Sequence, residues 1–173
     1  PNANDSSCKC MANYYYNEAF NLNNDSVSYL WQLADVEFSQ GNYNKSIELL
    51  GKINAIDSTS EGLDYWFAKN NMFAGQYNKS LKYLPKWVDI LKASGAINND
   101  DWLYIGFIYW VNGYKKEAED YFNKQIEYSL DYIKKNGPDA MLGGYFDNHY
   151  NLAGVYAFRG EKEKAYENLK IVA

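Results

Sequence analysis

The residues best suited to metal binding or catalysis are two cysteines and a single histidine. Cys8 and Cys10 enclose one lysine near the start of the 173-residue chain, and His149 lies far from them in sequence. A structural zinc site needs about four ligands, so the sequence predicts no metal site and no cofactor. The cysteines fit a strained disulfide, an unpaired pair of thiols or the remnant of a lipoprotein attachment site.

The histidine has an acidic neighbour, Asp147, two residues earlier in the chain. This setting favours a histidine that is satisfied at the surface or between helices over a catalytic base. The sequence shows neither an activated nucleophile nor a glycine-rich phosphate loop, so the usual catalytic arrangements cannot be assembled. We therefore predict that the protein is not an enzyme. The remaining enzymatic interpretation is a regulatory part of a larger enzyme or sensor.

Carboxylates occur in two close groups that could serve acid–base chemistry but have structural explanations. Asp100 and Asp101 stand at a predicted helix start, where side-chain oxygens cap free amides and negative charge suits the helix dipole. Glu117, Glu119 and Asp120 lie beside two lysines on a predicted solvated face. Both groups are therefore predicted to be structural.

Four glycines occupy the same place in a recurring pattern along the chain. They are Gly41, Gly75, Gly113 and Gly160, at intervals of 34, 38 and 47 residues. A glycine between two apolar-periodic stretches can take the positive φ that ends one helix before the next begins. The pattern therefore predicts a series of helix hairpins.

Small residues recur at fixed distances from each of these glycines. Those seven positions before it are Ala34, Ala68, Gly106 and Ala153. Those five positions after it are Ser46, Ser80, Ala118 and Ala165. Small side chains let two helix backbones approach closely, and large apolar neighbours then fill the space between the helices. Fixed offsets of this kind indicate hairpins stacked as a helical solenoid.

At these residues the chain resembles the tetratricopeptide repeat (TPR) family. The clearest matches are WQLADVEFSQGNYNKSIELL, residues 31–50, and YNLAGVYAFRGEKEKAYENL, residues 150–169. The resemblance covers roughly residues 25–173. It implies an all-α, right-handed superhelical solenoid of antiparallel helix hairpins.

The repeat pattern predicts one domain over residues 1–173. Its parts are an orphan helix at 8–22 and repeats at 25–58, 59–97, 98–136 and 138–173. The last repeat stops within its second helix, so we interpret the chain as a fragment of a longer protein. We expect about nine helices, and end-to-end self-association through apolar surface left uncovered at the terminal repeats.

In the TPR family the first helix of each hairpin lines a concave groove. Carried over to this sequence, the resemblance implies a ligand-binding groove formed by Trp31, Asp35, Phe38, Tyr65, Lys69, Met72, Phe107, Trp110 and Tyr150. Aromatic and methionine side chains concentrate in binding hot spots, although several of these could instead pack between hairpins. TPR domains that grip a carboxylate terminus carry several cations here, whereas Lys69 is the only one in this set. The groove is therefore predicted to be apolar and aromatic.

Composition narrows the class of partner. A net charge of −5 argues against nucleic acid, because phosphate binding needs a surplus of lysine and arginine. The sequence has no apolar run long enough to span a membrane. We predict a protein–protein interaction scaffold that binds a peptide or partner segment. A glycan-binding module with tryptophan and tyrosine platforms is the alternative, and the compartment stays open between cytoplasmic and extracytoplasmic.

Overall fold

The computed structural model describes residues 26–95, 100–137 and 144–173. Within these ranges it contains eight α-helices and no β-strand. The helices are α1 (Ser26–Ser39), α2 (Tyr43–Ile56), α3 (Leu63–Phe73), α4 (Tyr77–Ser94), α5 (Asp101–Val111), α6 (Lys115–Asn136), α7 (Gly144–Phe158) and α8 (Lys162–Val172). The predicted all-α fold of antiparallel hairpins is confirmed. Cys8, Cys10 and the predicted helix at 8–22 lie outside the described residues.

The four repeat glycines end the first helix of each hairpin in the same way. Their φ angles lie between 72° and 88°. At the first, the Gly41 amide donates to the Phe38 carbonyl at 2.9 Å and the Asn42 amide donates to the Glu37 carbonyl at 2.8 Å. The same pair of bonds recurs at the other three glycines. This Schellman motif satisfies carbonyls that the helix end would otherwise leave open, so the predicted role of the glycines is confirmed.

The small residues of the repeat pattern lie where the two helices of a hairpin touch. Ala34, Ala68 and Ala153 are at most 3% exposed, and Gly106 is also buried. In the first two hairpins a serine of the second helix donates to the carbonyl of the small residue on the first. Ser46 Oγ bonds the Ala34 carbonyl at 2.8 Å, and Ser80 Oγ bonds the Ala68 carbonyl at 2.7 Å.

The third hairpin achieves its close contact without such a hydrogen bond. A Cβ atom added to Gly106 would lie 2.5 Å from Cδ1 of Phe122, and that ring is fully buried. The absence of a side chain at Gly106 therefore makes the room that the phenylalanine fills.

The chain divides into two compact units, Pro1–Trp87 and Val88–Ala173, with the boundary inside α4. A core cluster of the first unit consists of Ala34, Leu49, Leu50, Ile53, Leu63 and Phe67. A core cluster of the second consists of Leu103, Ala118, Phe122 and Val155. None of the described helices is both long and apolar enough to cross a membrane.

The predicted cap at the start of α5 is wrong in one respect. Asp100 stands at the N-cap position, but its side chain makes no capping hydrogen bond. Asp101 lies in the first helical turn and is completely buried. In the second carboxylate group, Glu119 forms an ion pair with Arg159 at 2.5 Å, so this side chain ties α6 to the end of α7 instead of only facing solvent.

Candidate functional site

Helix α1 presents three of the predicted groove residues on one face. Trp31, Asp35 and Phe38 are spaced by four and three residues, which places them on the same side of a helix. The aspartate is exposed, whereas the two aromatic side chains are partly buried. The first unit therefore combines aromatic surface with an accessible carboxylate.

Helix α3 places three more predicted residues in the same unit. Lys69 Nζ donates to the Tyr65 hydroxyl at 2.9 Å and lies 6.0 Å from the centre of the Phe38 ring. This lysine thus connects the aromatic residues of α1 and α3. Met72 is only 5% exposed, so it offers little surface to a partner.

Additional rings join this set, and two of them, Tyr43 and Trp66, were not predicted from the sequence to line the groove. The Phe38 ring makes edge-on contacts with Tyr43, Trp66 and Phe73 at centroid distances of 5.4–5.5 Å. Tyr43 and Phe73 also stack on each other at 5.4 Å, and Phe73 is 39% exposed. We call the resulting group the aromatic surface, formed by Trp31, Phe38, Tyr43, Tyr65, Trp66 and Phe73.

A cleft of about 270 Å³ opens in the first unit. It is lined by Trp31, Gln32, Ala34, Asp35, Leu50 and Trp66. One indole is held by a hydrogen bond from Trp31 Nε1 to Ser60 Oγ at 3.1 Å. The other is flanked edge-on by Phe38 and Tyr65 at 5.4 Å and 5.3 Å. Both walls of the cleft are therefore fixed by contacts within the chain.

Of the residues that line the cleft, Trp31 and Asp35 were predicted from the sequence, whereas Gln32 and Trp66 were not. These two occupy equivalent places, nine positions before Gly41 and Gly75. The positions carried over from the TPR family do not include that one. The sequence could have indicated both residues, because each lies nine positions before a repeat glycine.

The second unit holds the other three predicted residues. Phe107 contacts Phe158 at 5.2 Å, and Phe158 stacks on Phe122, which in turn contacts Trp110. Phe107 and Trp110 are thus connected through two buried or partly buried rings. Tyr150 is 60% exposed, and no ring contact given for the described residues connects it to this group.

The tryptophan of this group carries a cation supplied by the chain itself. Lys115 Nζ lies 3.5 Å from the centre of the Trp110 ring. The same ammonium donates to the Trp110 carbonyl at 2.9 Å. The second unit therefore offers less open aromatic surface at its tryptophan than the first.

The only histidine serves a structural contact between α7 and α8. His149 Nδ1 lies 2.7 Å from Asn168 Oδ1. The Asn168 amide nitrogen donates to the Lys164 carbonyl, which orients its oxygen toward the ring, so Nδ1 is the donor. The predicted inter-helix position is confirmed, but the ring is only partly satisfied, because Nε2 is buried without a hydrogen-bond partner among the residues that the structure describes. Across residues 26–95, 100–137 and 144–173, no three histidine, cysteine or acidic side chains come together as a metal site.

The tyrosines with shifted acidity do not resemble activated nucleophiles. Tyr109 and Tyr121 stack at 5.6 Å in the second unit. Burial raises the pKa of both hydroxyls, with smaller contributions from neighbouring acidic groups. A raised pKa keeps a tyrosine protonated, which is the opposite of what a tyrosinate nucleophile requires.

No protein-family model and no curated protein matches the chain. Among solved structures, it is similar to MamA, with a TM-score of 0.54 and 18% sequence identity. The match covers 90% of this chain and 81% of the MamA chain. MamA is a TPR-like helical solenoid. At this identity the similarity concerns the fold, and it agrees with the hairpin architecture described above.

Proposed function

We propose that the protein is an interaction scaffold that binds a segment of a partner protein on the aromatic surface of the first unit. The observation that supports this most directly is the cleft between Trp31 and Trp66, with accessible rings beside it. A TPR-like fold is compatible with such a role. The net charge of −5 disfavours nucleic acid as the partner.

The contacts among the rings suit them to binding. Edge-to-face and stacked contacts hold Phe38, Tyr43, Trp66 and Phe73 in place. A partner that binds side chains already fixed in position loses less side-chain entropy, and aromatic anchors of this kind dominate many interfaces. The surface therefore combines apolar contact area with a low cost of ordering.

We propose that the predicted residues of the second unit form a binding surface of that unit. Tyr150 is exposed, and Phe107 and Trp110 are partly buried. End-to-end self-association also stays a prediction. It is supported by apolar side chains exposed on α8, where Leu169 and Ile171 are 40% and 42% accessible.

The proposal is tested by selecting peptides from a displayed library of random 12-residue sequences and measuring their affinity by calorimetry. Replacing Phe73 with alanine should weaken a selected peptide by about 2 kcal/mol, roughly 30-fold, if this ring is a hot spot. Tyr166→Ala is the matched control, because that tyrosine is 65% exposed on α8. Circular dichroism establishes that both variants keep the helical fold.

Two results would count against this function. Selected peptides could bind both variants as tightly as the parent protein, which would place their site elsewhere. Alternatively, oligosaccharides could quench tryptophan fluorescence while no peptide binds, which would favour the glycan-binding alternative.

A further inference from the structure

We infer that the cleft between Trp31 and Trp66 binds an arginine side chain of the partner segment, an assignment that rests on the proposed function. The guanidinium would stack on an indole and donate hydrogen bonds to Asp35. Three properties of the cleft support this occupant: an unpaired carboxylate, two indoles without a cation, and apolar walls.

The carboxylate differs from several others in the described residues. Asp35 is exposed, and no hydrogen bond or ion pair within the described residues engages it. By contrast, lysine or arginine side chains hold Glu37, Asp64 and Glu119. A cation that enters the cleft therefore meets a carboxylate without displacing an existing partner.

The two indoles differ in the same way from tryptophans of the second unit. Trp110 has Lys115 over its ring at 3.5 Å, and Lys124 lies 5.1 Å from the centre of Trp102. In the described part of the chain, no lysine or arginine stands over Trp31 or Trp66. Tryptophan is the aromatic side chain that attracts cations most strongly.

The lining of the cleft favours arginine over lysine. Ala34 and Leu50 contribute apolar lining, against which the aliphatic stem of a long basic side chain can lie. A guanidinium is planar and less strongly hydrated than an ammonium. It can therefore stack on an aromatic face while its N–H groups reach a carboxylate in a fork geometry. Asp35 stands one helical turn from Trp31, so both contacts are available to one side chain.

The chain's own lysine on α3 is engaged elsewhere. Lys69 donates to the Tyr65 hydroxyl and lies 5.4 Å from the centre of that ring. The ammonium is thus held beside the Tyr65 and Phe38 rings while it donates to an oxygen atom, which is the kind of contact proposed for the arginine in the cleft. The neighbouring cleft repeats the combination of rings and polar oxygen but contains no basic side chain among its lining residues.

The assignment is tested with N-acetyl-arginine methylamide as the probe, followed by the indole N–H signals in nitrogen-15 NMR. Conservative tryptophan-to-phenylalanine variants assign the signals. The probe should shift the signals of Trp31 and Trp66 in a saturable manner, and the lysine analogue should bind more weakly. The neutral, nearly isosteric citrulline analogue should bind at least about tenfold more weakly.

Two matched variants distinguish the effect of the Asp35 carboxylate from the effect of the protein's net charge. Asp35→Asn should weaken binding of the arginine probe at least about fivefold. Glu48→Gln changes the net charge equally at an exposed position of α2 and should leave binding unchanged. Equal binding of the citrulline analogue, an unaltered affinity in Asp35→Asn, or shifts confined to other tryptophans would overturn the assignment.

The peptide selection distinguishes this inference from the proposed function. If selected peptides are enriched in arginine and lose affinity in both Asp35→Asn and Phe73→Ala, both proposals are supported. If they lose affinity only in Phe73→Ala and lack arginine, the interaction surface stands and the arginine assignment fails. If no peptide binds and the arginine probe does not shift Trp31 or Trp66, both fail.

Discussion

The two units form the same kind of hairpin but hold its helices together by different contacts. In the first unit, Ser46 and Ser80 donate buried hydrogen bonds to the carbonyls of Ala34 and Ala68. In the second, Gly106 leaves room for the fully buried ring of Phe122. The repeat pattern therefore specifies a small residue at a close contact, while the neighbouring side chains determine whether polarity or shape stabilises it.

The tryptophans of the two units differ as well. Lysine side chains of the second unit cover Trp102 and Trp110. In the first, Trp31 and Trp66 instead line a cleft beside Asp35. The chain's own lysines therefore contact these tryptophan rings in the second unit, whereas the two tryptophan rings that line the cleft of the first unit stay available to a ligand. This difference is why we place the binding site in the first unit.

The largest expected effect comes from replacing Gly106 of the second unit with alanine, the residue that the first unit has at the equivalent positions. Gly106→Ala puts a Cβ atom against Phe122. Overpacking costs about 1–3 kcal/mol, and the cost should lie near the upper end because the clashing ring is fully buried. A gain of roughly 1 kcal/mol in helix propensity offsets only part of it. We expect a net loss of stability, measured by urea unfolding followed by circular dichroism.

Two further variants sharpen this test. Gly154→Ala should be neutral or stabilising, because its Cβ would meet Leu103 at an ordinary 3.6 Å. Combining Gly106→Ala with Phe122→Leu gives the third hairpin the residue pair that the second hairpin has at the equivalent positions, Ala68 and Leu84. The double variant should therefore lose less than the sum of the two single losses. Strict additivity would show that the ring and the glycine are not coupled.

A smaller effect is expected when the hydrogen bond of the first unit is removed. Ser80 is completely buried, and its hydroxyl donates to the Ala68 carbonyl. Ser80→Ala should lower the free energy of unfolding by about 0.5–1.5 kcal/mol, the usual net worth of such a bond. Ser58→Ala at an exposed position is the control and should change it little. Equal effects in the two variants would mean that the bond does not contribute to the difference between the units.

The lysine over Trp110 should contribute a comparable or slightly smaller amount. Lys115→Met removes the cation from the ring and the hydrogen bond to the Trp110 carbonyl. An exposed cation–π contact is worth about 0.5–1 kcal/mol, so thermal unfolding should shift to a slightly lower temperature. Lys116→Met removes the same charge at the neighbouring exposed position. If Lys115→Met and Lys116→Met lower the unfolding temperature equally, the contact between Lys115 and Trp110 does not stabilise the protein, and the proposed difference between the tryptophans of the two units is not supported.

The smallest effect concerns the dependence of stability on acidic pH that Glu37 contributes near the end of α1. A hydrogen bond from Lys45, only partly opposed by burial and helped by one from Asn42, lowers the pKa of Glu37 below its ordinary value of 4.5. The stabilisation is therefore complete above pH 4.5 and is lost as the pH falls through the lower pKa of the folded protein.

Unfolding at neutral and acidic pH tests this contribution. Glu37→Gln should lose stability at neutral pH and depend less on acid than the parent protein. Glu48→Gln, which removes an exposed carboxyl of α2, is the control and should keep the acid dependence of the parent. A Glu37→Gln variant with the full acid dependence would contradict the assignment.

Much of the fold could be predicted because its determinants are local in sequence. Gly41 and its three counterparts must take positive φ, and small residues at fixed offsets must face the partner helix. The cap at Asp100 was predicted wrongly, because helix-start residues indicate where a cap can form but not whether the side chain turns toward the amides. A sequence gives candidate donors and acceptors, whereas their orientation depends on packing.

The candidate site could be predicted only in part for a similar reason. Trp31 and Asp35 were selected by their position on α1, but the opposite wall comes from Trp66 on another helix. Ser60, which holds the Trp31 indole, lies between α2 and α3. Such a cleft depends on distances between helices that a single repeat offset does not contain. Met72 shows the converse, because a residue at a predicted groove position is buried.

The Schellman turns have a consequence for how the chain can fold and diversify. The bonds that close each turn span at most five residues along the backbone, so a turn can form before distant parts of the chain meet. Proteins rich in such local contacts fold quickly, and repeat arrays can nucleate at more than one place. Length can also change away from the turns: α6 has 22 residues and α2 has 14, yet the same turn precedes both. Evolution can therefore lengthen a hairpin at its far end without rebuilding the turn that starts it.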